Sequence, residues 1–363
     1  MGVSPMPIRE ELRMPRLSVE EALDLYERAD LFELGERAHA ARMERSNPNV
    51  VTYIVDRNVN YTNICITPCK FCAFYRTPGH SEGYVLADQE IDRKIDELAE
   101  IGGVQVLLQG GLHPELPFAY YVNMIARLKA KYPQINIHAW SPPEIVHFVA
   151  LSGLSLEGVL RELWDAGQRS IPGGGAEILV DRVRRRLAPT KCSAQEWLDV
   201  METAHTIGYT SSATMMFGHI ETLAERIEHL ERLRRVQDRT GGFTAFICWP
   251  IQSDNTPLRG MHVGPYEYLR TQALGRIYLD NFNHIQSSWV TMGEKIGQLA
   301  LRFGADDMGG TMMEENVVSA AKCTHRTNEA RLRRLAREAG FQPRRRSTFY
   351  EYLEDPQEEV VAA

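Results

Sequence analysis

Residues Asp88–Trp140 read DQEIDRKIDELAEIGGVQVLLQGGLHPELPFAYYVNMIARLKAKYPQINIHAW. Apolar residues at helical spacing over 88–101 stop at Gly102 and give way to the β-branched run Val104–Gln109. A second amphipathic stretch, 118–131, leads into another apolar run, Ile135–Trp140. A helix ended by glycine, a short buried strand, a turn and the next helix form one repeating β/α unit. The alternation continues in both directions. Strands are expected at Val59–Ile64, Val104–Gln109, Ile135–Trp140, Arg169–Ile171, Thr210–Met216, Phe243–Trp249, His284–Trp289 and Phe303–Met308. Helices are expected between them at 88–101, 118–131, 142–151 with 156–165, 193–207, 221–239, 265–281 and 292–302. Strict alternation calls for a parallel sheet, and about eight units predict an α/β fold of the (β/α)8 TIM-barrel kind. A doubly wound open sheet is the alternative. Capping-box patterns at Ser18–Glu21, Ser141–Glu144 and Ser193–Glu196 mark three helix starts.

The barrel is expected over 58–325, between an N-terminal helical extension, 1–57, and a C-terminal one, 326–363, that carries a basic helix over 326–339 and frays over Glu354–Ala363. The chain has 363 residues and a formal charge of −7, which argues against nucleic acid or an anionic membrane as partner. No apolar run reaches ~18 residues, and the first residues hold no apolar signal core. These features place the expected location in the cytoplasm.

Of the six cysteines, Cys65, Cys69 and Cys72 fall together as C-x3-C-x2-C directly after the first expected strand, whereas Cys192, Cys248 and Cys323 stand alone. In a barrel, that position is the catalytic C-terminal mouth. Three clustered soft ligands point to metal, either iron–sulfur or zinc. A closed zinc site needs a fourth ligand, for which His80 is the nearest candidate; a four-iron cubane on three cysteines leaves one iron open to a chelating ligand.

The spacing, with Phe71 between the last two cysteines, resembles the radical S-adenosylmethionine (SAM) superfamily. The resemblance implies a [4Fe-4S] cluster on Cys65, Cys69 and Cys72, with SAM on the free iron as the source of a 5′-deoxyadenosyl radical. It also implies that Phe71 and Phe74 border the cluster and adenine, and that Gly110 and Gly111 of Gln109-Gly-Gly-Leu-His-Pro114 lie against the methionine amino group. Glu177, after the triple glycine Gly173–Gly175, is implied as a ligand of the SAM ammonium or ribose. Ser141 reads either as a helix cap alone or as a cap that also offers a hydrogen bond at the pocket rim.

The runs Asn60–Arg76, LQGGLHP, IPGGGAEIL, TMMFGHIET, CWPIQSDNTPL and DMGGTMMEENVVSAA are similar to one radical SAM group across nearly the whole chain. That group comprises the futalosine-pathway enzymes of menaquinone synthesis and the builders of a deazaflavin chromophore. The resemblance implies a nucleoside-like small-molecule substrate and an external reductant such as flavodoxin or ferredoxin. The expected reaction is cyclisation of dehypoxanthine futalosine: hydrogen is removed from ribose C4′ and the carbon adds to the benzoate ring. The sister synthase reactions are the alternative within the group, and a metal-stabilised scaffold without catalysis is the alternative outside it. Loss of a proton after ring closure requires a base, for which Glu221, His113 and Asp254 are the candidates.

Overall fold

The computed structural model describes residues 16–354. Its strands are β1 (Val50–Ile54), β2 (Asp56–Asn60), β3 (Gln105–Gln109), β4 (Asn136–Ala139), β5 (Ser170–Ile171), β6 (Thr210–Phe217), β7 (Phe243–Pro250), β8 (His284–Gln286), β9 (Asp307–Gly310) and β10 (Gln342–Arg345). They form one sheet in the order β10-β1-β9-β8-β7-β6-β5-β4-β3-β2, and all pairings are parallel. The sheet is formally open. Its seam is spanned by the chain itself, because only Val55 separates β1, which pairs with β9, from β2, which pairs with β3. Pairing is thinnest at β4–β5 and β8–β9, with one registered residue pair each. The architecture is thus the expected eight-unit β/α wrap in the loosely closed form that leaves a lumen, with helices on the outside.

Three elements differ from expectation. The first strand occupies Val50–Asn60, crossing the 57/58 boundary, while residues 61–64 belong to the cysteine loop. Every residue of β1 and β2 is buried, so no in/out alternation marks them. The last barrel strand begins at Asp307, because Ala300–Arg302 is a 3-10 turn that carries the chain past Phe303. The C-terminal extension holds its basic helix, Glu329–Glu338, but then adds β10 to the sheet beside β1. The expected fraying lies, beyond Glu354, outside the described residues.

After β10 the chain crosses the end of the barrel opposite the cysteine loop. Thr348 Oγ1 donates to Gln105 Oε1 at the start of β3 (2.8 Å), and Tyr350 stacks on His284 at the start of β8, with ring centroids 3.8 Å apart and 6° between planes. Arg346 forms a bidentate pair with Asp307 at 2.5 and 3.0 Å. This strap is the floor of the lumen.

At the other end of the chain, helices Val19–Arg28 and Leu31–Arg45 cover helix Pro265–Tyr278, whose residues from Tyr268 onward are all buried. Buried Arg42 ties them to the barrel through the carbonyls of Ala305 (2.9 Å) and Val50 (2.8 Å). Among the described residues no single helix is long and apolar enough to cross a membrane.

Candidate active site

The cysteine loop leaves β2 and is fastened by backbone bonds to three neighbours: Cys65 N–H to Arg76 O (2.9 Å), Ile66 N–H to Leu112 O (3.1 Å) and Lys70 N–H to Leu187 O (2.8 Å). Cys65, Cys69 and Cys72 all face one cavity of about 460 Å³ that runs from this loop into the barrel lumen. Burial pushes the Cys69 thiol up to about 12 and raises that of Cys72, with Lys191 opposing the effect at both. Thiols so placed become thiolates only when cations bind them.

Among the described residues no three His, Cys, Asp or Glu side chains converge on a single ion position. The thiols border a shared space instead, as a cubane requires, since each thiolate must reach a different iron. The donor set therefore fits a [4Fe-4S] cluster. His80, the candidate fourth zinc ligand, is exposed, outside the cavity, and accepts from Glu82 N–H through Nδ1 at 3.1 Å. Cys192, Cys248 and Cys323 are buried and free.

Gly110 and Gly111 line the same cavity, and packing alone demands both glycines. A Cβ on Gly111 would lie 2.2 Å from the Ile64 carbonyl oxygen, and one on Gly110 would lie 2.4 Å from the Tyr61 ring. The second βα loop is pressed against the cysteine loop, and its backbone faces the cavity.

Beneath them lies Glu144, which the sequence marked only as half of a capping box. Its Oε1 accepts from Gly110 N–H (3.1 Å) and Tyr61 O–H (3.2 Å), and its Oε2 from Ser141 N–H (2.8 Å) and Ser141 O–H (2.7 Å). Ser141 lines the cavity, and its hydroxyl proton is engaged by this carboxyl. Burial raises Glu144 to about 7, against the lowering effect of the groups that donate to it.

Glu177 also lines the cavity, with φ at +43°, a left-handed backbone that is uncommon for a residue with a side chain. Lys191 Nζ donates to its Oε1 at 3.0 Å and Arg184 Nη1 to its Oε2 at 3.5 Å. The same ammonium sits 5.3 Å from the centroid of Phe71, so carboxylate, lysine and aromatic ring form one wall. Phe74 stands edge-on to Tyr84 across the mouth, with centroids 6.4 Å apart.

The three candidate bases are not brought to the cavity. Glu221 is saturated by His219 (2.8 Å), Arg226 (2.8 Å) and the N–H groups of Gly218 and His219 at 2.6 and 2.9 Å. These partners hold its carboxyl down at about 2 despite burial. His113 folds back on its own turn, its Nδ1 accepting from Glu115 N–H at 3.1 Å. Asp254 lies in the turn after β7, away from the lumen. The acids that do face the lumen include Asp56 on β2, raised by burial to about 6. Pleat alternation along β2 was the signal that could have found it: Asp56, Asn58 and Asn60 point inward, while Arg57 points out to Glu97 (2.6 Å) and Glu314 (2.8 Å).

A parallel β/α wrap with three cysteines at its mouth and a ligand-sized lumen behind them defines a radical SAM enzyme, and comparison with known proteins agrees. The sequence pattern of the radical SAM superfamily matches residues 59–233, and that of the CofH/MqnC C-terminal region matches residues 240–359. The chain is 44% identical over 339 residues to the cyclic dehypoxanthine futalosine synthase of Halalkalibacterium halodurans, covering 93% of this chain and 92% of that one. It is 40% identical over 323 residues to the aminodeoxyfutalosine synthase of Thermus thermophilus, covering 87% and 86%. Among solved structures, methylornithine synthase (PylB) superposes with a TM-score of 0.70 at 18% identity over 90% of this chain and 94% of that one, a likeness of fold alone. The chain belongs to the CofH/MqnC family of the radical SAM superfamily.

Proposed function

We propose that this enzyme cyclises dehypoxanthine futalosine in menaquinone biosynthesis, as the name of its 44%-identical relative describes. The observation that carries the reading is the coincidence of near-full-length identity with a single lumen that joins the cysteine loop to a closed polar floor. Held by Cys65, Cys69 and Cys72, a reduced cluster with SAM bound would supply a 5′-deoxyadenosyl radical able to take hydrogen from ribose C4′; closing the ring onto the benzoate would then release a proton to a base of the chain and one electron to the cluster that SAM cleavage had left oxidised.

The chain's own groups do the rest. Cys65, Cys69 and Cys72 hold the cluster; Gly110 and Gly111 present backbone to the methionine moiety; Glu177, balanced by Lys191, faces the SAM ammonium or ribose; and Phe71 and Phe74 shield the mouth from water. Among the lumen acids, Glu177 is neutralised by Lys191, and Glu315 accepts from the N–H groups of Val317, Val318 and Ser319. Glu144 accepts from four donors, whereas Asp56, raised by burial to about 6, accepts from two and is suited to take up the departing proton near neutral pH. A low-potential protein such as flavodoxin or ferredoxin supplies the electron that primes the cluster.

The test is anaerobic reconstitution with iron and sulfide, followed by SAM, a strong reductant and dehypoxanthine futalosine. Formation of 5′-deoxyadenosine together with a nucleoside lighter than substrate by one H2 is the expected result. 5′-Deoxyadenosine without substrate loss, and turnover of a sister substrate instead, would move the chain to the sister synthase reaction of its Thermus relative.

A further inference from the structure

Three inward side chains of β2 form a ladder from the mouth of the lumen to its floor. Asn60, nearest the cluster, is engaged on both sides of its amide, donating to Gln109 O (3.3 Å) and accepting from Asn316 (3.2 Å). Asp56, deepest, accepts from Met312 N–H (2.9 Å) and Gln105 Nε2 (3.3 Å). Between them Asn58 is 2% exposed and faces the cavity, yet its Oδ1 has no hydrogen-bond partner among the described residues. A buried amide oxygen left unpaired is costly, and native structures rarely tolerate one without a ligand or water to meet it.

A second unpartnered polar atom lies on the floor of the same cavity. Tyr350 O–H is buried, lines the cavity and has no partner among the described residues, and the residue is held at φ +63°. Strained backbone of this kind persists where the surrounding structure imposes it, commonly at ligand sites.

The charges around these two atoms select what can satisfy them. The Arg346 guanidinium is already paired, bidentate, with Asp307, and the Asp56 carboxyl stands close by on the same face as Asn58. An incoming carboxylate would meet the Asp56 carboxyl and a cation already committed to Asp307, and it could not donate to Asn58 Oδ1. A hydroxyl both donates and accepts, carries no charge and suits Asn58 and Tyr350 alike.

We propose that Asn58 is the specificity-determining contact for a sugar hydroxyl of the substrate, so that the ribose end enters the lumen first and the carboxylate-bearing arene is left toward the rim. The inference rests on the cyclase reading for the identity of that sugar. It assigns Asn58 no part in bond making.

Asn58→Ala and the near-isosteric Asn58→Asp are to be assayed as reconstituted holoenzymes with three compounds: the full substrate, an analogue lacking a ribose hydroxyl, and an analogue lacking the aryl carboxylate. SAM affinity and thermal stability are measured alongside. Loss of the contact should raise KM for the full substrate roughly ten-fold, with SAM affinity unchanged. The penalty should vanish for the analogue lacking the hydroxyl that Asn58 reads and persist for the decarboxylated one. An unchanged KM in both variants, or a penalty that vanishes only with the decarboxylated analogue, overturns the inference while leaving the cyclase assignment intact. A wild type that does not turn over the full substrate overturns both.

Discussion

Glu144 shows how much one side chain can decide. It is a helix-cap partner by sequence, and in the fold its two oxygens gather Ser141, Gly110 and Tyr61, so it fixes the distance between the glycine pair and the cysteine loop. Glu144→Gln keeps the shape but turns an amide NH2 toward one of two donor pairs. Leaving those donors unmet costs roughly 2 kcal/mol, to be read as a lower urea midpoint, and the displaced Gly110 should weaken SAM binding in the same variant. Unaltered stability and SAM affinity would remove Glu144 from the site. The contrast with Glu221 explains what the sequence could and could not show. Glu221 follows a strand in a motif-rich run and reads as a base, but the groups that engage it, Arg226 and His219, are visible as partners only after the helix is built. The cysteines needed no such context, because ligand type and spacing carry their chemistry.

At the scale of elements, β/α alternation was legible wherever strands are apolar and helices amphipathic, and it failed where polar groups fill a buried strand. β2 reads DRNVN, which no hydrophobic pattern marks as a central strand, yet all five residues are buried. Its polar inner face exists because the lumen is a ligand space, so the same fact that hid the strand points to function. The C-terminal strap escaped notice for a related reason. Its role depends on Arg346, Thr348 and Tyr350 reaching partners at the starts of distant strands. Arg346→Ala leaves Asp307 buried, with Thr52 O–H (2.5 Å) as its only other side-chain partner among the described residues. An unpaired buried charge of this kind costs about 3–5 kcal/mol. The expected outcome is a markedly lower melting temperature and faster proteolysis after residue 345. An unchanged melting temperature and an unchanged proteolysis pattern would mean that the strap is not the floor of the barrel.

Across the whole molecule, buried titratable groups set how the enzyme responds to acid. His138, His205 and His229 are held down to about 3, 4 and 3 by burial, so below the ordinary histidine value of 6.5 the unfolded chain binds three protons that the folded chain does not. Asp56 and Glu144 act in the opposite sense: raised to about 6 and 7 from 3.8 and 4.5, they let the folded chain bind two protons that the unfolded chain releases. Between about pH 6 and pH 4.5 the two sets oppose each other, so stability falls only gently as pH falls. Below about pH 4 the compensation ends, since Asp56 and Glu144 are protonated in both states. Glu221 and Asp306, both depressed to about 2, then add to the histidine term. Urea midpoints should therefore decline gently down to about pH 4.5 and steeply beyond it. Glu144→Gln removes one compensating proton and should steepen the gentle slope without moving the steep limb. A steep decline already at pH 6 in the parent would show that burial does not raise Asp56 and Glu144 in the folded state, and an identical gentle slope in the variant would show the same of Glu144.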